Sequence, residues 1–349
     1  MASAGGFISG GHRRLHCWGI ILAGGDGKRL EPYLRSERGL NRPKQFCAIV
    51  GRRSMLRHTI DRASTFIKPE HLLTVISRHH VALALEDLYD RDPKTVLTVP
   101  FNCETGASIL LALLRIHAED PEAIVVIFPS DHFILQEARF MDHVRSACSF
   151  VSRMPGFIVT LGIVPDSPQP GYGWIEKGEV LARQGTMTLF RTKRFWEKPP
   201  EELTQRLLST GCLWNTLTLA GTASKFIRLF SEYTPEMLGS FREIENAIGT
   251  PRERQVIYDV FLNLTSVNFS KSILERTALH QAVLPVSGVY WSDWGDERRV
   301  RTDLGHLADS NSKTGVPENP AYAESLNLDS GGMSRNAPVV DQAASVTVS

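Results

Sequence analysis

The sequence predicts an α/β protein with a mostly parallel sheet and helices on both faces. Short apolar segments alternate with helical patterns along the first half of the chain, which is the order typical of β-α-β crossovers. Residues 123–128, AIVVIF, are continuously apolar, as expected for a strand covered on both faces. The 349 residues suffice for one large α/β domain with appendages or for two domains.

The remaining elements follow from the same two patterns. Apolar runs predict further strands at 18–22, 72–76 and 157–163, and helical spacing predicts helices at 54–64, 105–117 and 139–151. Thr105 is expected to cap the second of these helices. Beyond Gly171 the pattern loosens, and it predicts short strands at 173–175, 188–195 and 213–220 with helices at 200–208, 224–231 and 257–261.

Composition divides the chain into three parts. Residues 1–16 are rich in Gly, Ser and Ala and predict a flexible leader, whereas residues 17–307 carry the strand and helix patterns. Residues 308–349 are polar, with Tyr322 as their one aromatic. A segment of that composition cannot bury enough apolar surface to order itself, so we expect a disordered tail.

Charge and cysteine content exclude several classes of protein. The chain has 39 Lys and Arg against 38 Asp and Glu, which gives no overall attraction to nucleic acid or to an anionic membrane. No apolar run approaches the roughly 20 residues needed to cross a bilayer. The five cysteines are far apart, odd in number and without a CxxC pair, which favours free thiols. We therefore expect a cytoplasmic protein without nucleic-acid or membrane partners.

A glycine-rich loop, Gly24-Gly25-Asp26-Gly27, follows the first predicted strand. Glycines allow backbone amides to approach a phosphate closely, and the next two residues, Lys28 and Arg29, add positive charge. The spacing fits neither GxxxxGK[ST] nor GxGxxG, so a glycine turn with two solvated cations remains an alternative. Lys44, in Pro43-Lys44-Gln45, is a candidate phosphate ligand only if the chain brings it back to the same edge of the sheet as Arg29.

A carboxylate, Asp131, follows the AIVVIF strand. In an open parallel sheet ligands bind beyond the carboxyl ends of the strands, where a carboxylate can hold a Mg²⁺ that bridges nucleotide oxygens. The alternative is that Asp131 caps the next helix. His132 is expected to be a structural histidine with its hydrogen bonds satisfied rather than a metal ligand.

Aromatic residues lie beside polar ones in four later segments: 171–176, 195–199, 213–215 and 291–295. Ring faces cover the C–H surface of sugars while Asn, Glu and Asp bind hydroxyls, so this combination suits sugar recognition. Each segment alone is equally typical of a core aromatic beside a turn. Their order carries more information than any single one.

Taken in order, the motifs resemble those of sugar-1-phosphate nucleotidylyltransferases, in particular the mannose-1-phosphate guanylyltransferase group. The resemblance spans about residues 18–297 and rests on LAGGDGKRL (22–30), RPKQF (42–46), FPSDH (128–132), PGYGWIE (170–176), FWEKP (195–199), LWN (213–215) and WSDWG (291–295).

The resemblance implies a Rossmann-like, mixed α/β fold of the nucleotide-diphospho-sugar transferase type. It also implies a nucleotide-binding part (17–170), a sugar-binding part (171–307) and roles for single residues. The nucleotide, GTP, would contact Leu22, Ala23, Gly24, Gly25, Gly27, Lys28 and Arg29. The catalytic residues would be Arg29, Lys44, Asp131 and Lys198. The sugar of mannose 1-phosphate would contact Gly173, Glu176, Glu197, Lys198 and Asn215. Asp131 and Asp293 would hold Mg²⁺, and a homodimer is compatible with the resemblance.

Four segments depart from the family's pattern. Glu104-Thr105-Gly106-Ala107 stands where an Asn-Thr-Ala-Pro-like stretch is usual, and Thr216-Leu217 replaces Ser-Gly. Asn268 replaces an Asp in Ser266–Phe269, and Asp296-Glu297 replaces Ser-Trp. Two other hypotheses therefore stay open: a different pair of nucleotide and hexose 1-phosphate, or a non-catalytic paralogue that binds a nucleotide sugar and regulates a partner enzyme.

Overall fold

The computed structural model describes residues 16–314. Its strands are β1 (Cys17–Ala23), β2 (Leu72–Ser77), β3 (Val96–Val99), β4 (Ile124–Pro129), β5 (Phe133–Ile134), β6 (Ile158–Ile163), β7 (Gly173–Gln184), β8 (Met187–Glu197), β9 (Leu213–Thr222), β10 (Gln281–Val286) and β11 (Trp291–Ser292). Its helices are α1 (Glu31–Arg38), α2 (Met55–Ser64), α3 (Val81–Leu88), α4 (Glu104–Glu119), α5 (Glu137–Arg153), α6 (Glu201–Ser209), α7 (Ala223–Tyr233), α8 (Pro235–Ala247), α9 (Glu253–Leu262), α10 (Phe269–Ser272) and α11 (Glu297–Thr314).

Nine strands form one mixed sheet in the order β3-β2-β1-β4-β9-β6-β10-β8-β7. The first four are parallel to one another. Strand β9 is antiparallel to both of its neighbours, β4 and β6, and β10 is again parallel to β6. The long β7–β8 hairpin completes the sheet. Strands β5 and β11 form a separate small pair.

Side chains of the central strands alternate between two apolar cores. In β4, Val126 and Phe128 belong to the core under α2 and α5, whereas Val125 and Ile127 belong to the core under α4 and α7. Because successive strand residues point to opposite faces, a strand with helices on both sides must be apolar throughout. The predicted fold class is confirmed, including helices on both faces of the sheet.

A third apolar cluster joins α11 to α1 beside β5, through Leu34, Phe133, Trp294 and Val300. Asp296 precedes α11 and caps its N-terminus: its carboxylate accepts a hydrogen bond of 2.9 Å from the backbone N–H of Arg299. An aspartate at this position is a favourable helix cap. In the described part of the chain no helix is both long and apolar enough to span a bilayer.

Three sequence predictions need correction or completion. Thr105 does not cap α4, which begins at Glu104; its hydroxyl instead accepts a hydrogen bond of 2.9 Å from the backbone N–H of Phe269. Helix α11 extends to Thr314, so the predicted start of the tail at residue 308 falls inside a helix. The predictions for residues 1–15 and 315–349 lie outside the described residues.

Candidate active site

A cleft of about 340 Å³ opens where β1 and β4 end. These strands pair in parallel up to Leu22 and Pro129, so the segments that follow them lie side by side. The Ser130 hydroxyl donates a hydrogen bond of 2.7 Å to the carbonyl of Leu22 and joins the two segments. The predicted site residues that line the cleft are Leu22, Gly24, Gly25, Gly27, Arg29, Asp131, Gly173, Glu197, Lys198, Asn215 and Asp293.

Four of the predicted site residues do not line this cleft. Ala23 is buried at the end of β1. Lys28 is exposed, and its ammonium lies 3.4 Å from the carboxylate of Asp26. Glu176 pairs with Lys193 at 2.6 Å. The fourth, Lys44, is buried against the cleft and contacts residues that line it.

The glycine loop is held by the segment Pro43-Lys44-Gln45. The Gln45 side-chain amide donates hydrogen bonds to the carbonyls of Ala23 (3.2 Å) and Gly25 (2.6 Å). Gly27 has φ +63°, and a Cβ there would lie 2.9 Å from the backbone nitrogen of Lys44. Lys44 therefore lies at the same edge of the sheet as Arg29. This is the condition under which Lys44 was predicted to take part in the site.

Lys44 connects the segments that carry the two candidate metal ligands. Its ammonium lies 2.9 Å from a carboxylate oxygen of Asp131 and donates hydrogen bonds to the backbone carbonyls of Asp293 and Trp294. Asp131 does not cap a helix, because β5 comes next and α5 begins only after Gln136. The alternative that Asp131 caps the next helix is therefore excluded.

The electrostatic environment keeps Asp131 ionised. Desolvation by itself raises the pKa of this carboxyl, but the positive charge of Lys44 and its hydrogen bond outweigh that effect and lower the pKa overall. The neighbouring His132 is partly buried, and desolvation lowers its pKa, so the neutral ring is favoured. Within residues 16–314 its Nδ1 has no hydrogen-bond partner, which contradicts the expectation of a fully satisfied structural histidine.

Tyr172 lies beside Asp293 and forms a hydrogen bond with its carboxylate. No role was predicted for this tyrosine. Its ring packs edge-on against Trp214 and Trp291. Desolvation is the largest influence on the Tyr172 hydroxyl and raises its pKa. The negative charge of Asp293 and the hydrogen bond to Asp293 raise this pKa further. The hydroxyl therefore stays protonated and can donate to the carboxylate. The PGYGWIE pattern contained this tyrosine, but nothing in the sequence places it beside residue 293.

Apart from Glu176, the predicted sugar-binding residues converge at the end of β8 and the starts of β7 and β9. A Cβ on Gly173 would lie 3.0 Å from Cβ of Asn215 and 3.1 Å from a carboxylate oxygen of Glu197. Desolvation raises the pKa of Glu197, with Lys198 as the largest opposing influence. The lysine ammonium lies 3.7 Å from this carboxylate. A side chain at position 173 would therefore press on the other two side chains.

Backbone strain is concentrated around this cleft. Among the described non-glycine residues, positive φ angles occur at Glu104 (63°), Lys198 (50°), Leu217 (53°) and Trp294 (45°). The first three line the cleft, and the fourth follows Asp293. Such conformations cost about 1–3 kcal/mol each and are typical of functional sites.

Two of the departures from the family's pattern are direct partners. The Asn268 amide donates a hydrogen bond of 3.2 Å to the carboxylate of Glu104, and both residues line the cleft. Compared with the expected Asn and Asp, the carboxylate has moved from position 268 to position 104. The pair therefore keeps one carboxylate and one amide.

The donor atoms fit a hard divalent cation such as Mg²⁺, which prefers oxygen ligands and keeps several waters. One carboxylate oxygen of Asp293 accepts a hydrogen bond from the Gly295 N–H, which orients the group. Asp131 and Asp293 both line the cleft. No group of three or more His, Cys, Asp and Glu ligands occurs among the described residues, so a metal here would rely on phosphate oxygens and water as well.

A glycine loop, a buried lysine and two carboxylates at the carboxyl edge of a largely parallel sheet define a nucleotide-binding α/β protein. The model of the nucleotidyl transferase family matches residues 18–299. The chain belongs to this family.

Individual relatives agree with that assignment. A mannose-1-phosphate guanylyltransferase of Escherichia coli K12 is 30% identical over 298 residues, which cover 84% of this chain and 60% of that protein. One of Klebsiella pneumoniae is 29% identical over 282 residues, with 79% and 57% covered. This chain thus spans less than two thirds of the length of these relatives.

The fold also matches a solved structure. It is a Thermus thermophilus protein described as a mannose-1-phosphate geranyltransferase, with a TM-score of 0.69 and 24% identity. The match covers 82% of this chain and 80% of that one. At this identity the likeness concerns the fold alone.

Proposed function

We propose that this protein is a Mg²⁺-dependent nucleotidyltransferase that makes GDP-mannose and pyrophosphate from GTP and mannose 1-phosphate. The observation that carries the proposal is the contact of Lys44 with Asp131 and with the Asp293 loop, beside a glycine loop. Family membership supports the reaction class, and the names of the relatives support the substrates.

In the proposed reaction an oxygen of the sugar 1-phosphate attacks the α-phosphorus of the nucleotide in line. A new oxygen–phosphorus bond forms, the bond between the α-phosphorus and its bridging oxygen breaks, and pyrophosphate leaves with that electron pair. The attacking oxygen is already anionic, so no strong general base is needed. The site has to align two mutually repelling phosphates and neutralise their charge.

The chain's own residues can meet both demands. Arg29 and Lys44 would bind the triphosphate and stabilise the leaving pyrophosphate, while Lys198 would bind the phosphate of the sugar. A Mg²⁺ held by Asp131 and Asp293 would add positive charge at the reacting phosphates. Backbone amides of Gly24, Gly25 and Gly27 would approach the nucleotide, since no side chains keep it away.

The structure bears on the non-catalytic alternative through the residues that motivated it. Glu104 and Asn268 preserve a carboxylate–amide pair, so the substitution at 268 removes no charge from this wall of the cleft. Asp131 and Asp293 are both present in the cleft, and a pure binding module has little need for two such carboxylates. These observations favour catalysis over a purely regulatory role.

The test measures pyrophosphate release by the purified protein with Mg²⁺, GTP and mannose 1-phosphate. Parallel reactions replace GTP by ATP, UTP, CTP or dTTP, and mannose 1-phosphate by glucose 1-phosphate. Release confined to GTP with mannose 1-phosphate supports the full proposal, whereas release with another pair corrects the substrates. If the folded protein binds nucleotide but releases no pyrophosphate in any reaction, the regulatory alternative replaces it.

Asp131→Asn supplies the critical variant. Loss of a charge that acts on the reacting phosphates typically costs about a hundredfold or more in rate, so we expect turnover to fall by at least that factor while the circular dichroism spectrum is kept. Asp142→Asn is the matched control, because Asp142 is exposed and pairs with Arg145 away from the cleft. Wild-type activity in Asp131→Asn would remove the metal assignment.

A further inference from the structure

Leu217 is an apolar residue in a cleft that the polar residues Glu197, Lys198 and Asn215 also line. It is partly buried: it packs against the apolar core beneath α4 and α7, and it also lines the cleft together with Asn215 and Lys198. An isobutyl group offers no hydrogen bond to a sugar. Its presence beside the predicted sugar-binding residues therefore needs an explanation other than hydroxyl recognition.

The backbone at Leu217 is strained. Its φ of 53° lies in the left-handed region, which is unfavourable for a residue with a Cβ and which glycine adopts freely. The conformation is fixed by neighbours: the Leu217 N–H donates to the side-chain oxygen of Asn215 at 2.9 Å, and the Thr216 hydroxyl donates to the carbonyl of Leu161 at 2.8 Å. A leucine is thus kept where glycine would be less costly.

The strain coincides with a bulge in β9. Asn215 is in register with Gly162 of β6, but Leu219 is in register with Thr160. Residues 216–218 are therefore accommodated opposite a single residue of β6. Bulges next to ligand sites re-aim side chains out of the regular alternation. Leu217 lies at the centre of this bulge and lines the cleft, as Asn215 does.

We propose that Leu217 is a specificity-determining residue that restricts the acceptor to hexose 1-phosphates without an acylamino substituent. This inference rests on the proposed function, because it assigns the sugar to the end of the cleft where Gly173, Glu197 and Asn215 converge. The isobutyl group takes up space beside that end. It also offers no hydrogen bond to the N–H and C=O of an acetamido group, and buried polar groups without partners weaken binding.

Two substitutions separate the effect of the side chain from that of the backbone. Leu217→Ala removes the bulk but keeps a Cβ in the left-handed region, whereas Leu217→Gly removes both the bulk and the strain. Both variants should lose discrimination between acceptors to a similar extent. Leu217→Gly should have the higher melting temperature of the two, because glycine relieves the strained φ.

The readout is kcat/KM for mannose 1-phosphate and for N-acetylglucosamine 1-phosphate, both with GTP. We expect the wild-type protein to prefer the first by about a hundredfold or more, and either variant to reduce this ratio at least about tenfold, which is the scale of discrimination that apolar pocket groups provide. Leu279→Ala is the control, since Leu279 is 77% exposed and outside the cleft; its ratio should equal that of the wild type.

Calorimetric binding of the same two sugar phosphates gives a readout that does not depend on turnover. Equal ratios in wild type and both variants, by kinetics and by binding, overturn the role of Leu217 and leave the proposed function intact. If the wild type binds with the expected preference, both variants lose that preference and no protein releases pyrophosphate, the role of Leu217 is supported and the proposed function is contradicted. A wild type that accepts N-acetylglucosamine 1-phosphate as readily as mannose 1-phosphate overturns the inference.

Discussion

Single residues couple the glycine loop to the segment that carries Lys44. Gly27 illustrates how: its positive φ aims the loop toward the cleft, and its missing side chain lets Pro43 and Lys44 approach. Gln45 then fixes the loop through two carbonyls. The position of Lys44 beside Asp131 thus depends on contacts between two segments that α1 separates along the chain.

Gly27→Ala should destabilise the protein more than Gly39→Ala, although both glycines have φ +63°. A Cβ on Gly39 has no atom within 4 Å, so only the backbone strain of about 1 kcal/mol is expected there. A Cβ on Gly27 would also lie 2.9 Å from the Lys44 nitrogen, and the added displacement should bring the loss to about 2 kcal/mol or more.

Urea unfolding of both variants measures that difference. Nucleotide affinity, measured by calorimetry, should fall at least about tenfold in Gly27→Ala and stay unchanged in Gly39→Ala, because a shift of the loop misaligns the phosphate contacts. Equal destabilisation and equal affinity in the two variants would mean that the close approach of Lys44 to Gly27 has no energetic consequence.

The residues of the candidate site were predictable where chemistry follows a strand. Gly24, Gly25 and Asp131 come directly after apolar strands, and the carboxyl ends of such strands are where ligands bind. The structure brings these residues to one cleft. Tyr172, Gln45 and the pairing of Glu104 with Asn268 were not predicted, because each depends on a contact that chain topology creates and that no local pattern indicates.

At the scale of elements, helix α11 holds the loop that carries Asp293. The fully buried Asp303 accepts hydrogen bonds from the Tyr290 hydroxyl (2.6 Å) and the indole N–H of Trp294 (2.9 Å). Arg299 forms a bidentate ion pair with Asp166, at 3.0 and 2.8 Å. These bonds attach the helix to both ends of the 290–294 segment and to the loop after β6.

Asp303→Asn should loosen this attachment. An amide has one acceptor oxygen where the carboxylate has two, so Tyr290 and Trp294 can no longer each donate to a carboxylate oxygen. Arg299, 3.4 Å away, also loses a negative charge. We expect the free energy of unfolding to fall by about 2 kcal/mol. Turnover should fall about tenfold, because Asp293 is no longer held in place.

Thermal unfolding and steady-state kinetics check both expectations. Glu297→Gln is the matched control on the same helix, since its exposed carboxylate pairs with Arg301 at the surface and surface pairs contribute little. Unaltered stability and turnover in Asp303→Asn would show that the Asp293 loop keeps its position without α11.

The sequence missed α11 for an identifiable reason. Its exposed face carries charged residues, and its buried positions are few and include Asp303, Val300 and Leu307, so helical spacing of apolar residues is weak. The start of the polar tail was therefore predicted inside the helix. The long β7–β8 hairpin was likewise underestimated, because many of its residues are only half-buried or exposed and give no continuous apolar run.

For the whole molecule, the sheet itself was the most predictable feature. Strands covered on both faces are continuously apolar, and β4 and β6 are buried throughout. The antiparallel insertion of β9 between β4 and β6 could not be predicted, because strand direction depends on how the chain returns after α6 and not on composition. That insertion brings Asn215 and Leu217 to the cleft.

Histidines buried in the neutral form should make the stability of the whole fold depend on pH. His58 in α2 is buried, and its Nε2 lies 3.4 Å from the carbonyl of Val50. Desolvation lowers its pKa, against the opposing charge of Glu137. Between the unfolded pKa of about 6.5 and the lower folded pKa, the unfolded chain binds more protons, so acidification favours unfolding.

We therefore expect the free energy of unfolding to fall as the pH drops from 7.5 through 6.5 to 5.5. In His58→Gln the fall should be smaller, since glutamine can keep a hydrogen bond to Val50 but does not titrate. It should not vanish, because desolvation also lowers the pKa of His80 and His132. Urea unfolding of both proteins at the three pH values measures the difference, and identical pH dependence would show that the burial of His58 has no linkage to folding. Carboxyl groups also titrate in this range, because the pKa is raised at Asp87 and Glu197. Their contribution is the same in both proteins and cancels to first order when the two are compared at each pH. The difference in pH dependence that is left is due to His58.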